Sequence, residues 1–172
     1  LEPEKVIDSI DWRYLKDALS ESEALEILKE REVDHGDLES ALKDRGPKAY
    51  STAGWIGLTD EEIIKTVKEM QSKGFDCFKM KVGQSLGDDK KRLRFIREVI
   101  GSDSKLMLDC NQVWGVNEAI DYMEELAEFN PLWIEEPTAR DDVQGHLKIA
   151  KSLESLNIKV ATGEQVPSPV IF

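Results

Sequence analysis

From residue 48 onward, apolar strand-like segments alternate with amphipathic helix-like segments, with a repeat of about 26 residues. The predicted strands are 49–55, 75–82, 106–109, 132–135 and 158–162, and the predicted helices are 60–72, 88–100, 117–129 and 141–156. Alternation of this kind gives parallel strands joined by right-handed helical crossovers. The sequence therefore predicts an α/β fold, either an open doubly wound sheet or part of an eightfold barrel.

The glycine-rich phosphate loop of doubly wound dinucleotide-binding proteins is absent from this sequence. Gly83 and Gly87 follow the second predicted strand, but they lack the required spacing. Residues 1–46 differ from the rest because they are polar, charge-dense and mostly helical in pattern, and Pro47 stops the last helix. We therefore divide the chain into a helical segment, 1–46, and an α/β segment, 47–172.

The charge of the chain limits its partners. Its 172 residues include 35 acidic and 23 basic side chains, for a formal charge of −12. This balance argues against nucleic acid and against an anionic membrane surface, which both need clustered cations. No apolar run approaches the roughly 18 residues of a membrane span. The chain opens without Met, so we expect the true start, and any targeting segment with it, to lie outside this sequence.

The two cysteines indicate the compartment. Cys77 and Cys110 fit no metal or redox spacing, so we interpret them as small apolar side chains that stay reduced. Reduced thiols are typical of intracellular proteins. We therefore expect a mitochondrial or cytoplasmic location.

Charged side chains lie at the carboxyl ends of four successive predicted strands. Parallel α/β proteins place their active-site residues at these strand ends. Lys79 and Lys81 end the second strand, Asp109 ends the third, Glu135 ends the fourth and Glu164 follows the fifth. Successive side chains of a strand point to opposite faces, so the two lysines share a face, as do Asp109 and Asn111. The sequence therefore predicts three carboxylates and two lysines at one edge of the sheet.

These residue types favour a particular chemistry. Three converging carboxylates repel each other unless a cation lies between them, and their oxygens suit Mg²⁺. A lysine beside a divalent cation has its ammonium form disfavoured, so its pKa is expected to fall toward the working pH. A base and a metal together can remove a proton from the carbon beside a carboxylate.

Each residue has a simpler interpretation when it is taken alone. A Lys-x-Lys pair is usually a solvated strand edge. Glu136 should point away from Glu135, which indicates a structural role. Trp55 and Trp114, at strand ends, and Trp133, within a strand, are interpreted as packing residues. What favours an active site is the combination of lysines and carboxylates at the ends of successive strands.

Four strand-end segments carry a family resemblance. They are 78–83 (FKMKVG), 108–112 (LDCNQ), 132–138 (LWIEEPT) and 161–165 (ATGEQ). Together they resemble the mandelate-racemase subgroup of the enolase superfamily. Three more segments, 10–14 (IDWRY), 23–28 (EALEIL) and 141–146 (DDVQGH), resemble the L-fuconate dehydratases within it. The resemblance implies about five strands of a partial TIM-type (β/α) barrel, in which 1–46 links from a capping domain and 47–172 begins the barrel.

The resemblance also implies residue roles. It makes Lys81 the base that takes the proton beside the sugar-acid carboxylate, Lys79 the residue that holds this carboxylate, and Asn111 a substrate contact. The implied Mg²⁺ ligands are Asp109, Glu135 and Glu164. The implied function is a Mg²⁺-dependent acid-sugar dehydratase that gives a 2-keto-3-deoxy sugar acid. Its implied partners are a small-molecule sugar acid and further copies of itself.

The sequence departs from this family at several positions. The family usually has Arg where Val113 stands and Asp where Gly115 stands, and Pro167 and Pro169 follow Glu164 in place of a polar stretch. Prolines restrict the backbone there.

The acid that expels the hydroxyl is expected from a histidine on a later strand, and neither histidine of the sequence lies at such a position. A full barrel needs about 250 residues. We therefore expect this chain to be a fragment that is inactive alone. The alternative is a truncated or diverged enolase-like protein with a binding or regulatory role.

Overall fold

The computed structural model of the chain describes residues 2–15, 17–30 and 35–166. Contacts within the chain divide it into two units, Leu1–Pro47 and Lys48–Phe172. Among the described residues, no helix combines the length and the apolar character that crossing a membrane requires.

The first unit is helical. Its elements are α1 (Pro3–Asp8), a short 3-10 turn (Trp12–Tyr14), α2 (Glu21–Glu30) and α3 (His35–Arg45). Ser20 and Glu23 begin α2 as a reciprocal cap, in which each side chain accepts a hydrogen bond from the backbone amide of the other. Helices α1 and α2 pack together, with Ile7 buried on α1 and Ala24 buried on α2. A surface ion pair of 2.7 Å joins Glu4 to Lys29.

The second unit consists of five βα repeats of which the last lacks a described helix. Its strands are β1 (Ser51–Gly54), β2 (Cys77–Lys81), β3 (Lys105–Asp109), β4 (Pro131–Glu135) and β5 (Lys159–Ala161). Its helices are α4 (Asp60–Ser72), α5 (Leu86–Ile100), α6 (Val116–Leu126) and α7 (Val143–Leu153). All four strand pairs are parallel, which confirms the predicted α/β class.

The order of the strands separates the two alternatives that the sequence left open. The sheet runs β1-β2-β3-β4-β5 in chain order. A doubly wound sheet reverses direction at a switch point, whereas a (β/α) barrel adds each strand beside the last. The described strands contain no reversal, so the order is that of a partial barrel.

The two faces of the sheet differ. On β2 and β3 the side chains of Phe78, Met80, Leu106 and Leu108 are fully buried and belong to the core that the helices cover. The alternate positions carry the charged residues Lys79, Lys81 and Asp109 toward the carboxyl ends, together with Cys77 and Met107. This period of two is why charged side chains at the strand ends share the face that the helices leave open.

The boundaries of the elements differ from the predicted ones by a few residues. Helix α5 begins at Leu86 rather than at residue 88, because the Ser85 hydroxyl accepts a hydrogen bond from the Asp88 amide. Helices α6 and α7 each end in one 3-10 turn, followed by Asn130 and Asn157 in the left-handed conformation. These turns account for the longer helices that the sequence predicts.

Candidate active site

The strand register places the candidate residues in one row. Lys81 on β2 lies opposite Asp109 on β3, and Asp109 lies opposite Glu135 on β4. Glu164 follows in the turn after β5. Carboxylate oxygens of Asp109, Glu135 and Glu164 lie within 4.8 Å of one another. The structure thus brings the three predicted carboxylates together at the carboxyl edge of the sheet.

Asp109 is the buried centre of this row. Its Oδ2 accepts hydrogen bonds from the Nζ atoms of Lys81, at 2.5 Å, and Lys79, at 3.1 Å. Burial by itself raises the pKa of Asp109, but the hydrogen bonds from the two lysines outweigh it and hold this pKa below its ordinary value. Asp109 is therefore ionised at neutral pH, and its oxygens are available to a cation.

Lys79 bridges two carboxylates. Its Nζ atom lies 2.5 Å from Glu135 Oε1 and 3.3 Å from the Tyr50 hydroxyl, in addition to its contact with Asp109. Burial lowers the pKa of Lys79, but the hydrogen bonds with Glu135, Asp109 and Tyr50 outweigh it and raise this pKa. Lys79 is a fixed cation, as a residue that holds a substrate carboxylate must be.

Lys81 has a different set of neighbours. Its Nζ atom donates to Asp109 Oδ2 and, at 2.7 Å, to Asn111 Oδ1. The Trp55 ring centre lies 4.9 Å from the same nitrogen. Asn111 adopts a left-handed conformation, with φ 48°, and its backbone amide donates to Asp109 Oδ1. Both lysines therefore face the carboxylates, as the alternation predicts.

The tryptophans divide into two kinds. Trp114 is buried and packs against Tyr122, with ring centres 4.8 Å apart, so its predicted packing role is confirmed. The same prediction is wrong for Trp55, which is 54% exposed and stands beside Lys81. Trp133 is only half-buried, and its indole nitrogen donates to Glu135 Oε2 at 3.3 Å. It faces the site rather than the core.

The Glu136 side chain points away from Glu135 and binds the turn that follows β5. It is fully buried, with φ 48°, and its Oε1 accepts from the Gly163 amide at 2.8 Å and the Thr162 hydroxyl at 3.1 Å. These two residues immediately precede Glu164. The structural role predicted for Glu136 is thus to hold the turn that carries the third carboxylate.

Other predicted positions lie away from the row or outside the described residues. Val113 is 59% exposed, and Gly115 is the N-cap residue that precedes α6. Pro167 and Pro169 lie outside the described residues. His146 lies in the first turn of α7, where Nδ1 is 2.8 Å from the Asp142 carbonyl oxygen. No contact in the described part of the chain brings it to the carboxylates.

Both cysteines are free and buried, which agrees with their interpretation as small apolar side chains. Burial raises the pKa of Cys77, and it raises the pKa of Cys110 to about 12. Neither thiol is poised for chemistry at neutral pH.

Sequence reasoning missed Tyr50, Asp89 and Arg92. Tyr50 precedes β1 and contacts Lys79, whereas Asp89 and Arg92 lie one turn apart on α5. A buried aspartate between charged helical neighbours has no sequence signal, because charged residues of a helix usually face water.

The donor set fits a hard divalent cation. Three carboxylates from adjacent strands present oxygen ligands of the kind that Mg²⁺ takes while it keeps positions for water and substrate. The two lysine ammonium groups neutralise part of this negative charge. Asp109, Glu135 and Glu164 are therefore the residues that could hold the metal.

Comparisons of the sequence with family models and with known proteins point to the same family. The model of the "Enolase C-terminal domain-like" family matches residues 62–172. L-galactonate dehydratase of Hypocrea jecorina is 43% identical over 174 residues, which cover 99% of this chain and 39% of that protein. The chain spans 39% of the length of the curated relatives that it matches over its whole length.

Solved structures share the fold. Human mitochondrial enolase superfamily member 1 superposes with a TM-score of 0.73 at 42% identity, over 99% of this chain and 39% of that chain. L-talarate/galactarate dehydratase from Salmonella typhimurium LT2, liganded with Mg and L-lyxarohydroxamate, superposes with a TM-score of 0.60 at 34% identity, over 67% of this chain and 29% of that chain.

Proposed function

The chain belongs to the enolase C-terminal domain-like family, and from that premise we propose that its protein is a Mg²⁺-dependent acid-sugar dehydratase. The observation that carries this proposal is the row in which Lys81, Asp109 and Glu135 occupy matched positions on three adjacent strands. Glu164 completes the carboxylate set. A basic residue beside a site for a hard metal ion can remove the proton from the carbon adjacent to a carboxylate.

The proposed reaction begins with the substrate held by its carboxylate on Lys79. Lys81, acting from its unprotonated amine form, accepts the proton from the adjacent carbon, and the electron pair of the broken C–H bond moves into the carboxylate as an enediolate. That pair then returns, the bond to the β-hydroxyl breaks, and the hydroxyl leaves as water with a proton from a general acid. The enol product tautomerises to a 2-keto-3-deoxy sugar acid.

The remaining residues prepare this step. When Mg²⁺ is bound by Asp109, Glu135 and Glu164, it supplies positive charge beside the substrate carboxylate. Asn111 accepts a hydrogen bond from Lys81 and orients its nitrogen, in addition to the substrate contact proposed for it. We assign the general acid to a later strand of a complete barrel, so the 172 residues are expected to be inactive by themselves.

The substrate is proposed to be a sugar acid of the L-galactonate type. L-fuconate is the first candidate, from the resemblance of three segments to L-fuconate dehydratases. L-galactonate is the second, because it is the substrate in the name of a relative that covers the chain. The two acids share their configuration and differ in one hydroxyl at the last carbon. We further propose a mitochondrial location, after the name of relatives that cover the whole chain. A homo-oligomer is proposed from the family resemblance alone.

The test uses the protein from its complete reading frame, with Mg²⁺ and a panel of L-fuconate, L-galactonate and galactarate. We expect a keto-deoxy acid, detected as its semicarbazone, from at least one of them. Lys81→Met should lower kcat by about 10²–10⁴-fold. Lys73→Met is the matched control, because Lys73 forms an exposed ion pair with Glu69 and should retain activity. No turnover across the panel would contradict the proposal and favour the non-catalytic alternative.

A further inference from the structure

A half-buried arginine joins the ends of two strands behind the proposed base. We infer that Arg92 is a positioning residue, whose guanidinium fixes the Lys81 backbone against the Trp55 backbone and so sets where the Lys81 amine lies. This inference rests on the proposed function, because it assigns Lys81 the role of base. Arg92 does not touch the proposed substrate site itself.

The guanidinium of Arg92 contacts three backbone carbonyls. Its Nη1 donates to the Lys81 carbonyl at 2.7 Å. Its Nη2 donates to the carbonyls of Gly54, at 3.1 Å, and Trp55, at 3.2 Å. Strand β1 ends at Gly54 and strand β2 ends at Lys81, so one planar group spans both strand ends. The Arg92 side chain is 21% exposed, and its hydrogen bonds to the carbonyls of Lys81 and Gly54 are partly shielded from water.

A second residue of α5, Asp89, holds the backbone that follows the end of β2. Asp89 is fully buried, and its Oδ2 accepts from the Gly83 amide at 2.7 Å. Its Oδ1 lies 3.9 Å from Arg92 Nη1 and has no hydrogen-bond partner among the described residues. Gly83 has φ 104°, a conformation that suits glycine. Asp89 and Arg92 thus hold the backbone on both sides of Val82.

This arrangement is not explained by stability alone. A buried carboxylate oxygen without a hydrogen bond, such as Oδ1 of Asp89, costs free energy of folding. The guanidinium contacts connect to the proposed active site, because two of its three carbonyl partners belong to Trp55 and Lys81. The side chains of these residues meet with the Trp55 ring centre 4.9 Å from the Lys81 amine. A displacement of about 1 Å at a catalytic group can cost about 10²-fold in rate.

The same helix offers a matched control. Arg97 is also half-buried on α5 and also donates to backbone carbonyls, but at the opposite, amino-terminal edge of the sheet. Its partners are the carbonyls of Phe129, Asn130, Gly101 and Ser104. Arg97→Lys therefore removes a comparable set of guanidinium contacts far from Lys81.

The experiment compares Arg92→Lys and Arg97→Lys in the full-length protein. We expect both variants to lower the melting temperature. Only Arg92→Lys should lower kcat, by about tenfold to a hundredfold, with KM within about threefold of wild type. Arg92→Gln, which keeps an amide donor, serves as a second variant if the lysine variant does not fold.

A spectroscopic measurement reports the position of Trp55 without turnover. In protein labelled with 5-fluorotryptophan, Trp55→Phe assigns the Trp55 resonance. We expect this resonance to shift in Arg92→Lys and to stay in place in Arg97→Lys. Equal losses of kcat in the two variants, or an unmoved Trp55 resonance in Arg92→Lys, would overturn the inference. Absence of turnover in the wild type would count against the proposed function alone, and the resonance would then decide the positioning role.

Discussion

The Nζ atom of Lys79 lies 2.5 Å from Oε1 of Glu135, so an ammonium group of the protein itself neutralises one member of the carboxylate set. This contact gives Lys79 two opposed effects in the proposed enzyme. Its charge attracts a substrate carboxylate, and the same charge weakens the attraction of the site for a metal cation. Metal affinity and turnover should therefore respond to its removal in opposite directions.

Lys79→Met is expected to bind Mg²⁺ about tenfold more tightly than wild type, because it removes a positive charge from the ligand set. The same variant should lose sugar-acid turnover. Isothermal titration calorimetry measures the affinity, and Lys73→Met is the control for loss of a remote surface charge. Weaker Mg²⁺ binding by Lys79→Met would show that Lys79 supports the metal site instead of competing with it.

Two adjacent glutamates with opposite orientations provide a test of the ligand set. Glu135→Gln should weaken Mg²⁺ binding by about tenfold or more, because a neutral amide replaces an anionic ligand. Glu136→Gln should change the affinity by less than about threefold, because its amide oxygen can still accept from the Gly163 amide. The titration is the same for both variants, and the reverse ranking would exclude Glu135 as a ligand.

The elements that could be predicted from the sequence are those that depend on local periodicity. Alternation on β2 places Phe78 and Met80 in the core that the helices cover and Lys79 and Lys81 on the other face, and α4 has the predicted bounds. The convergence of the three carboxylates could also be predicted from the sequence, because the carboxyl ends of parallel strands lie at the same edge of the sheet. Strand order required the structure, because periodicity alone allowed both an open sheet and a barrel.

The missed residues depend on contacts between distant parts of the chain. Trp55 looked like a packing residue because it is large and apolar, but the end of β1 places its ring beside Lys81. Arg92 reaches carbonyls of two different strands, and no local pattern encodes that reach. The family resemblance implies roles only for residues within the four strand-end segments. Trp55 and Arg92 lie outside these segments.

The helix-facing core sets the stability of the second unit. Leu93 on α5 is fully buried, whereas Leu147 on α7 is 46% exposed. Leu93→Ala should lower the free energy of unfolding by about 2–5 kcal/mol, because it removes buried methyl groups and leaves a cavity. Leu147→Ala, the same substitution at the surface, should change it by less than about 0.5 kcal/mol. Urea denaturation measures both, and similar losses would contradict the assigned burial.

The Cys110 thiol is expected to resist alkylation in the folded protein. Burial raises its pKa to about 12, and the thiol donates a hydrogen bond to the Glu136 carbonyl at 3.2 Å. Only the thiolate reacts with iodoacetamide, and at pH 8 the thiol of the folded chain stays protonated. The thiolate fraction grows about tenfold for each pH unit below the pKa, so reactivity should still be low at pH 9.

Mass spectrometry of the peptide that contains Cys110 measures this reactivity after a fixed exposure to iodoacetamide. The same treatment in urea is the control, because unfolding removes the burial and returns the thiol pKa toward about 8.5. Complete labelling in urea with little labelling in buffer is the expected result. Rapid labelling of Cys110 in buffer would show that the segment between β3 and α6, and with it Asp109, is open to solvent on the time scale of the reaction.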